Sequence, residues 1–431
     1  MVGVSLCLSA PCPASGAPDP EFCVSKTSII LFTLVAGVLI GVALGDSAPA
    51  VTQAASITGT LWLNAMRMTV VPLVVALLVT GIVQAAAAAR AGRLAGRAVL
   101  TMMAILWCSS LLAALMIPAL LALFPMPAGS SEALKSALGA TTQELGPLPA
   151  FADFLLGIVP TNPISAAADD AILPLIIFTA FFAFAATRLP DAKRATLAGF
   201  FDAVAETMVI VIHWILALAP VGVFALALVV GTRAGVAAFG ALAHYVIILS
   251  ALGVLIWLAA FALALLGARQ GLAAFFRASI PAQAVAISTQ SSLASLPAML
   301  EGVKKLGVRD TTADVVLPLA VAIFRATGPA MNLGVALYIA HWYGVELGPA
   351  QIAVGIAAGA TTTLGAVSLP GSVSFVSSIA PICIAIGAPV EPLALLIAVE
   401  TFPDIFRTLG NVTMDMAVTG ALDRTGGDRE A

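Results

Sequence analysis

Apolar runs of about twenty residues recur along the chain, at 27–45, 99–124, 208–231 and 245–266 among others. A helix needs about 20 such residues to cross the hydrocarbon layer of a bilayer. A soluble domain has one core and could not hide so many of them. The composition agrees: of 431 residues, 61% are hydrophobic and 10% charged, against about 25% charged in soluble domains. Mean hydropathy is +1.09. The chain is therefore expected to be an all-α polytopic membrane protein whose solvent is lipid. A net charge of −3 gives no footprint for nucleic acid. The five cysteines, Cys7, Cys12, Cys23, Cys108 and Cys383, fit no zinc spacing and, being odd in number, no complete disulfide framework. Residues 1–25, rich in Pro, Ser and Cys with no basic segment ahead of them, read as a loose leader outside the fold.

Basic residues collect in loops on the cytoplasmic side. Arg90, Arg93 and Arg97 form one cluster, and Arg188, Lys193 and Arg194 a second. Arg269 with Arg277, then Lys304, Lys305 and Arg309, make two more, and Arg424 and Arg429 close the chain. The intervening loops are poor in positive charge: 46–56 has none, 124–148 only Lys135, and 232–238 only Arg233. The alternation predicts cytoplasmic termini and about eight spanning elements. In the second half, 270–303 and 351–388 are apolar yet interrupted. The first carries Ser288-Thr289-Gln290-Ser291-Ser292 and Ser295-Leu296-Pro297, the second Thr361 to Gly365 and Ser368-Leu369-Pro370-Gly371-Ser372. A backbone break at membrane depth is tolerated only against protein or a water-filled cavity, so these read as paired half-crossing segments flanking a binding site.

Glu400, Asp404, Arg407, Asn411 and Asp415 follow one another at spacings of 4, 3, 4 and 4, with Thr408 at the edge of the same face. At about 100° per residue they occupy one face roughly 80° wide. Ionisable groups in a spanning helix are costly and mark solute or ion pathways. Arg407 offers a planar fork for a carboxylate. Asp404, one turn earlier, can accept from an ammonium, Asn411 can bond a second carboxylate, and Asp415, deeper, suits a cation. A purely structural ion network is the competing reading of the stripe.

With these residues in view, the chain from 27 to 422 resembles the glutamate-transporter family, the dicarboxylate/amino acid:cation symporters. Asp404, Arg407, Thr408, Asn411, Val412 and Asp415 follow its D-x-x-R-T-x-x-N-V-x-x-D pattern in the last helix. Pro160-Thr161-Asn162-Pro163 with Leu173-Pro174, Ala219-Pro220-Val221-Gly222-Val223-Phe224, Ser291-Ser292 with Ser295-Leu296-Pro297, and Leu369-Pro370-Gly371 match further elements. The resemblance implies eight transmembrane helices plus two re-entrant hairpins, in a homotrimer of independently working protomers in a bacterial inner membrane. Each protomer would divide into scaffold elements, 26–90 and 150–234, and a transport domain, 91–149 and 235–424, that slides like an elevator. Residues 425–431 would be a cytoplasmic tail. It also implies substrate contacts from Arg407, Asp404, Asn411, Thr408, Ser291, Ser292, Pro370 and Gly371, with no organic cofactor and Na+ or H+ as coupling ion. The implied function is secondary active symport of an acidic amino acid or C4-dicarboxylate. The acid at Asp404, often missing in carriers of plain dicarboxylates, leans toward an amino acid.

The chain departs from the family where sodium binds. Sodium-coupled members carry N-M-D-G-T in the seventh helix; here Arg325-Ala326-Thr327-Gly328-Pro329 stands in its place. Gln290 replaces an Arg found in archaeal members, and the polar pair of the third helix falls near the apolar Met102 and Ile105. Pro329 and Val373 would reshape the pocket. Sodium wants a cage of hard oxygens, as other hard cations do. The expectation is that Arg325 pairs with Asp415 as a tethered cation, with Thr327 beside it, and that sodium dependence is weak or lost. Glu400 reads first as a satisfied acid at the helix start and second as a proton carrier. A non-transporting sensing paralogue is the alternative function. An intramembrane enzyme using Ser291 or Ser292 lacks a base, since His213, His244 and His341 stand beside no serine motif.

Overall fold

The computed structural model describes residues 26–90, 92–126, 159–169, 171–235, 237–363 and 371–427. Over these the chain is helical, with no strand among the described residues. Helix α1 (Lys26–Leu44) turns through a short 3-10 segment into α2 (Pro49–Arg67) and α3 (Val70–Arg90). Pro49 sits at the start of α2, where its missing N–H would have no partner anyway. Then come α4 (Arg93–Leu123), α5 (Pro163–Ala168), α6 (Ile172–Ala186), α7 (Asp191–Ala217), α8 (Ala219–Ala234) and α9 (Ala237–Leu266). Asn162 caps α5 by accepting from the backbone N–H groups of Ile164 and Ser165. Among the described residues, the helical stretches Pro49–Ala88, Arg93–Leu123, Asp191–Ala217, Phe239–Leu266 and Asp310–Tyr343 are long and apolar enough to cross a membrane.

The second half is more broken. Helices α10 (Leu272–Thr289) and α11 (Ser292–Lys305) pack on each other as a hairpin where 270–303 was expected to form one. Gln290 turns the chain at φ +51°, a left-handed backbone that few side chains adopt. Helices α12 (Asp310–Ile323) and α13 (Thr327–Tyr343) are one span interrupted at 324–326. Helices α14 (Pro349–Thr362) and α15 (Gly371–Ile386) pack together at the place of the second expected hairpin. Its tip, with Leu369 and Pro370, lies outside the described residues. So do the leader 1–25, Lys135, Asp170 and the end of the tail. The single turn α16 (Leu393–Leu396) leads into α17 (Thr401–Gly427).

Two kinds of packing coexist. In the first, α1 and α2 lie against α8, and α3 lies against α6 and α7. Backbones touch where α1 crosses α8: a Cβ on Gly41 would stand 2.3 Å from the Leu228 carbonyl oxygen, and one on Gly231 2.3 Å from that of Val38. Small residues permit that approach, the usual way for spans to gain dispersion in lipid. Trp62 lies over Gly222, and its indole N–H donates to the Ile215 carbonyl at 3.0 Å, beside the break between α7 and α8. In the second kind, α17 is surrounded by α9, α10, α11, α12 and α13, while α4 packs on α13 and α14. Here the buried residues include ionised and amide side chains.

Several of the basic residues make contacts between elements. Arg97 donates to Thr425 at 2.6 Å, Arg424 to the Gly267 carbonyl at 3.0 Å, and Arg309 to Asp423 at 2.8 Å. These contacts gather the clusters of α4, α9, α11 and α17 at one end of the molecule.

Candidate functional site

The stripe on α17 faces inward. Glu400, Asp404, Thr408, Asn411 and Asp415 are all buried, Asp415 completely. A wall of helices around them removes the cost of turning charge to lipid.

Arg407 is the hub. Its Nη2 donates to Glu400 Oε1 at 2.6 Å, its Nη1 to Asn332 Oδ1 at 2.6 Å, and its Nε lies 3.3 Å from Asp404 Oδ1. Glu400 accepts a second bond on Oε2 from the Tyr245 hydroxyl at 2.8 Å. Each is a charge-assisted bond, and together they fix the guanidinium plane rather than leave it free to rotate. Tyr245 comes from α9 and Asn332 from α13, so the hub ties three helices together.

Asn411 joins the stripe to the broken span through its amide oxygen. Its Oδ1 accepts from the Thr327 backbone N–H at 2.9 Å, and the Thr327 hydroxyl lies 2.8 Å from the same atom. That hydroxyl is also 2.9 Å from the Arg407 carbonyl. Thr327 opens α13, so its N–H has no partner within the helix. A side chain on α17 thus caps the broken span. Ser109 of α4 donates to the Ala326 carbonyl in the same break, and Ser110 donates to the Ile356 carbonyl on α14 at 2.9 Å. The break is held wholly by protein, as a break at membrane depth must be.

Asp415 stands apart. Both its carboxylate oxygens are buried and accept no hydrogen bond. Arg325 acts electrostatically on Asp404 first, then on Arg407, then on Asp415. Arg325 is in electrostatic range of Asp415 and makes no hydrogen bond to that carboxylate. It sits in the break ahead of α13, where Asp404 also attracts its guanidinium and Arg407 repels it.

The first hairpin reaches the start of α17 through its turn: Gln290 Nε2 donates to the Thr401 carbonyl at 3.2 Å. Ser291 caps α11 by accepting from the Ala294 N–H at 3.3 Å, and Ser292 is the first residue of that helix. Both serines are half-buried at the tip. Gly371 opens α15, and Pro370 falls outside the described residues. Thr408 is buried on the stripe. Among the described residues no group of three or more His, Cys, Asp or Glu side chains gathers to hold a metal.

Four residues of this region were not singled out from sequence: Asn332, Tyr245, Ser109 and Ser110. Met102, where a polar contact from the third helix was sought, is buried among apolar residues. The polar pair lies two turns further on, at Ser109-Ser110, visible as adjacent hydroxyls inside a 31-residue apolar helix.

A multispanning helical protein that buries an arginine and three acids between a hairpin and a broken span is an integral membrane protein with a polar interior site, the anatomy of a transporter rather than an enzyme. The chain belongs to the Sodium:dicarboxylate symporter family, whose profile matches residues 28–425. It is 28% identical over 396 residues to the Proton/glutamate-aspartate symporter of Escherichia coli K12, covering 89% of each chain. It is 29% identical over 394 residues to the Proton/sodium-glutamate symport protein of Bacillus subtilis 168, again 89% of each. Identity to C4-dicarboxylate transport protein 1 of Pseudomonas paraeruginosa PA7 is 26% over 409 residues, covering 92% of this chain and 88% of that one.

Proposed function

We propose that this transporter carries an acidic amino acid or a C4-dicarboxylate by symport, and that sodium is not its obligatory coupling ion. The observation that carries the first part is Arg407, a half-buried guanidinium held in one plane by Glu400, Asp404 and Asn332. A planar fork so fixed matches a carboxylate. A solute carboxylate would take over one of these bonds, most readily the one to neutral Asn332, because exchanging it leaves both ion pairs in place. Asp404, whose Oδ1 lies 3.3 Å from Arg407 Nε, is the carboxylate beside the fork that would accept from a substrate ammonium. Relatives named for glutamate, aspartate and C4-dicarboxylates support the same substrate class.

The second part rests on the break at 324–326. An acid-bearing turn is replaced by Arg325-Ala326-Thr327, which brings a fixed positive charge where the family's sodium-coupled members carry an acid. A proton, or no ion, then accompanies the solute. The two kinds of packing support a scaffold built from 26–90 and 150–234 and a moving unit built from 91–149 and 235–424, with the second hairpin as gate. Protomers would assemble as homotrimers, with both termini at the end where the basic clusters gather, facing the cytoplasm.

The test is uptake by proteoliposomes of labelled aspartate, glutamate, succinate and malate, with a neutral amino acid as control. Carboxylate-specific uptake supports the reading; equal uptake of the neutral amino acid contradicts it.

A further inference from the structure

At the basic end of the molecule, away from the site on α17, a cavity of about 400 Å³ opens between three chain turns. It is lined by Arg269 and Gln270 after α9, Ala274 in the first turns of α10, Lys305 at the end of α11, and Asp423 and Arg424 near the end of α17. Asp423 is already satisfied. Arg309 binds it through Nε at 2.8 Å and binds its carbonyl through Nη2 at 3.0 Å, and the Thr312 hydroxyl donates to Oδ1 at 2.6 Å. The other charges lining the cavity are positive. Arg424 is oriented by one bond, from Nη1 to the Gly267 carbonyl, which leaves the rest of its fork unspent. Lys305 pairs with Glu301 at 2.7 Å on the open surface of α11, where both side chains are more than half exposed and a competing anion can take the ammonium. Arg269 is held at φ +54°. A left-handed backbone at a residue other than glycine is strained, and such strain gathers at functional positions.

The surroundings of this cavity are not those of a water-facing loop. Leu265 and Leu266, just before it, and Leu272 and Phe276, just after it, are exposed, Leu266 by 75%. These side chains continue the apolar surface of the membrane-spanning α9, and of the hairpin helix α10 beside it, up to the rim of a cationic hollow. A ligand that satisfies both must carry an anion at one end and hydrocarbon at the other. The geometry points to a binding site for the phosphate of an anionic phospholipid, with the headgroup among Arg269, Lys305 and Arg424 and the acyl chains along Leu266, Leu272 and Phe276. Arg supplies the planar contact to phosphate and Lys a point charge. The site joins the ends of α9, α11 and α17, which also enclose the buried stripe, so a bound lipid would brace those helices.

The experiment uses the full chain in detergent and follows thermal unfolding during titration with dioctanoyl phosphatidylglycerol, dioctanoyl phosphatidylcholine and inorganic phosphate. Binding to the native state raises the midpoint by mass action. Two variants accompany the wild type: the pair R269Q/K305Q, which removes two charges from exposed positions, and A274F, which fills the hollow and keeps every charge. Each basic side chain contributes about fivefold to the affinity for an anionic headgroup, so R269Q/K305Q is expected to bind phosphatidylglycerol about 25-fold more weakly. A274F should lose the shift as well, and phosphatidylcholine should give none. Wild-type affinity for phosphatidylglycerol in both variants, or an equal shift with phosphatidylcholine, overturns the site. Tight binding of inorganic phosphate that disappears in the variants overturns the lipid assignment in favour of a soluble phosphate.

Discussion

Glu400, at the turn that leads into α17, and Asp415, on the inward face of α17, are both buried, and their surroundings differ in kind. Glu400 accepts from Tyr245 and from Arg407, and the same guanidinium reaches Asp404 and Asn332. Asp415, four turns deeper, accepts nothing. In a low-dielectric interior a fully bonded network is rigid, whereas an unbonded carboxylate is costly unless a charge compensates it. The first region is thus built to hold a geometry, which is what recognition of a solute carboxylate needs. The second is built around a compensating charge, and the cation within range is Arg325. On the function proposed above, the contrast would separate the two tasks of a symporter along the stripe: binding at the Arg407 end, coupling at the Asp415 end.

The largest effect should follow from breaking the first region. Arg407→Ala removes the fork and strands two acids. Binding of every carboxylate solute should fall by roughly a hundredfold or more, about 3 kcal/mol, measured as the ligand-induced shift in unfolding temperature. Arg407→Lys keeps the charge without the fork and should bind weakly while remaining folded, which separates recognition from folding. Retained wild-type binding in both variants would move the solute elsewhere.

A charge-cancelling pair probes the second region. Arg325→Asn alone leaves Asp415 without its compensating cation and should destabilise the protein by about 3 kcal/mol. Combined with Asp415→Asn, most of that loss should return, because neither charge then remains buried without the other. A double variant as unstable as the sum of the single ones would show that the two side chains do not act on each other.

Much of this arrangement is legible in the sequence, for a physical reason. A spacing of 4, 3, 4 and 4 fixes a helix face whatever surrounds it, so the inward stripe follows from periodicity alone. The interrupted apolar runs likewise locate the hairpin α10–α11 and the pair α14–α15, because serines, glycines and prolines clustered at membrane depth require protein cover. The partners of those groups are another matter. Tyr245 is 155 residues from Glu400, and Asn332 is 75 from Arg407. Each is one of a few polar residues in a mostly apolar helix, and helix rotation decides whether it meets the stripe. The same is true of Arg325. Its presence in the break is plain in the sequence, but its stronger coupling to Asp404 than to Asp415 depends on how α13 is set against α17.

Smaller changes sharpen the contrast. Tyr245→Phe removes one of the two bonds to Glu400 and keeps the ring beside Tyr338, 5.3 Å away between centroids. It should cost about 2 kcal/mol in denaturant unfolding, since the lost bond is to a charged group. No change would mean that Arg407 alone holds Glu400. Thr327→Val removes a hydroxyl between Asn411 and Arg407 but leaves the backbone N–H bond to Asn411. A loss of about 1 kcal/mol is expected, with solute affinity nearly unchanged. A large loss of affinity would make Thr327 a solute contact rather than a cap.

The division of labour along α17 is tested most directly by the initial rate of solute uptake into proteoliposomes when all sodium is replaced by choline. With Arg325 supplying the charge at the Asp415 end, the rate should be the same in both media. Uptake that stops in choline would mean that a sodium ion, and not the guanidinium, completes that end of the helix.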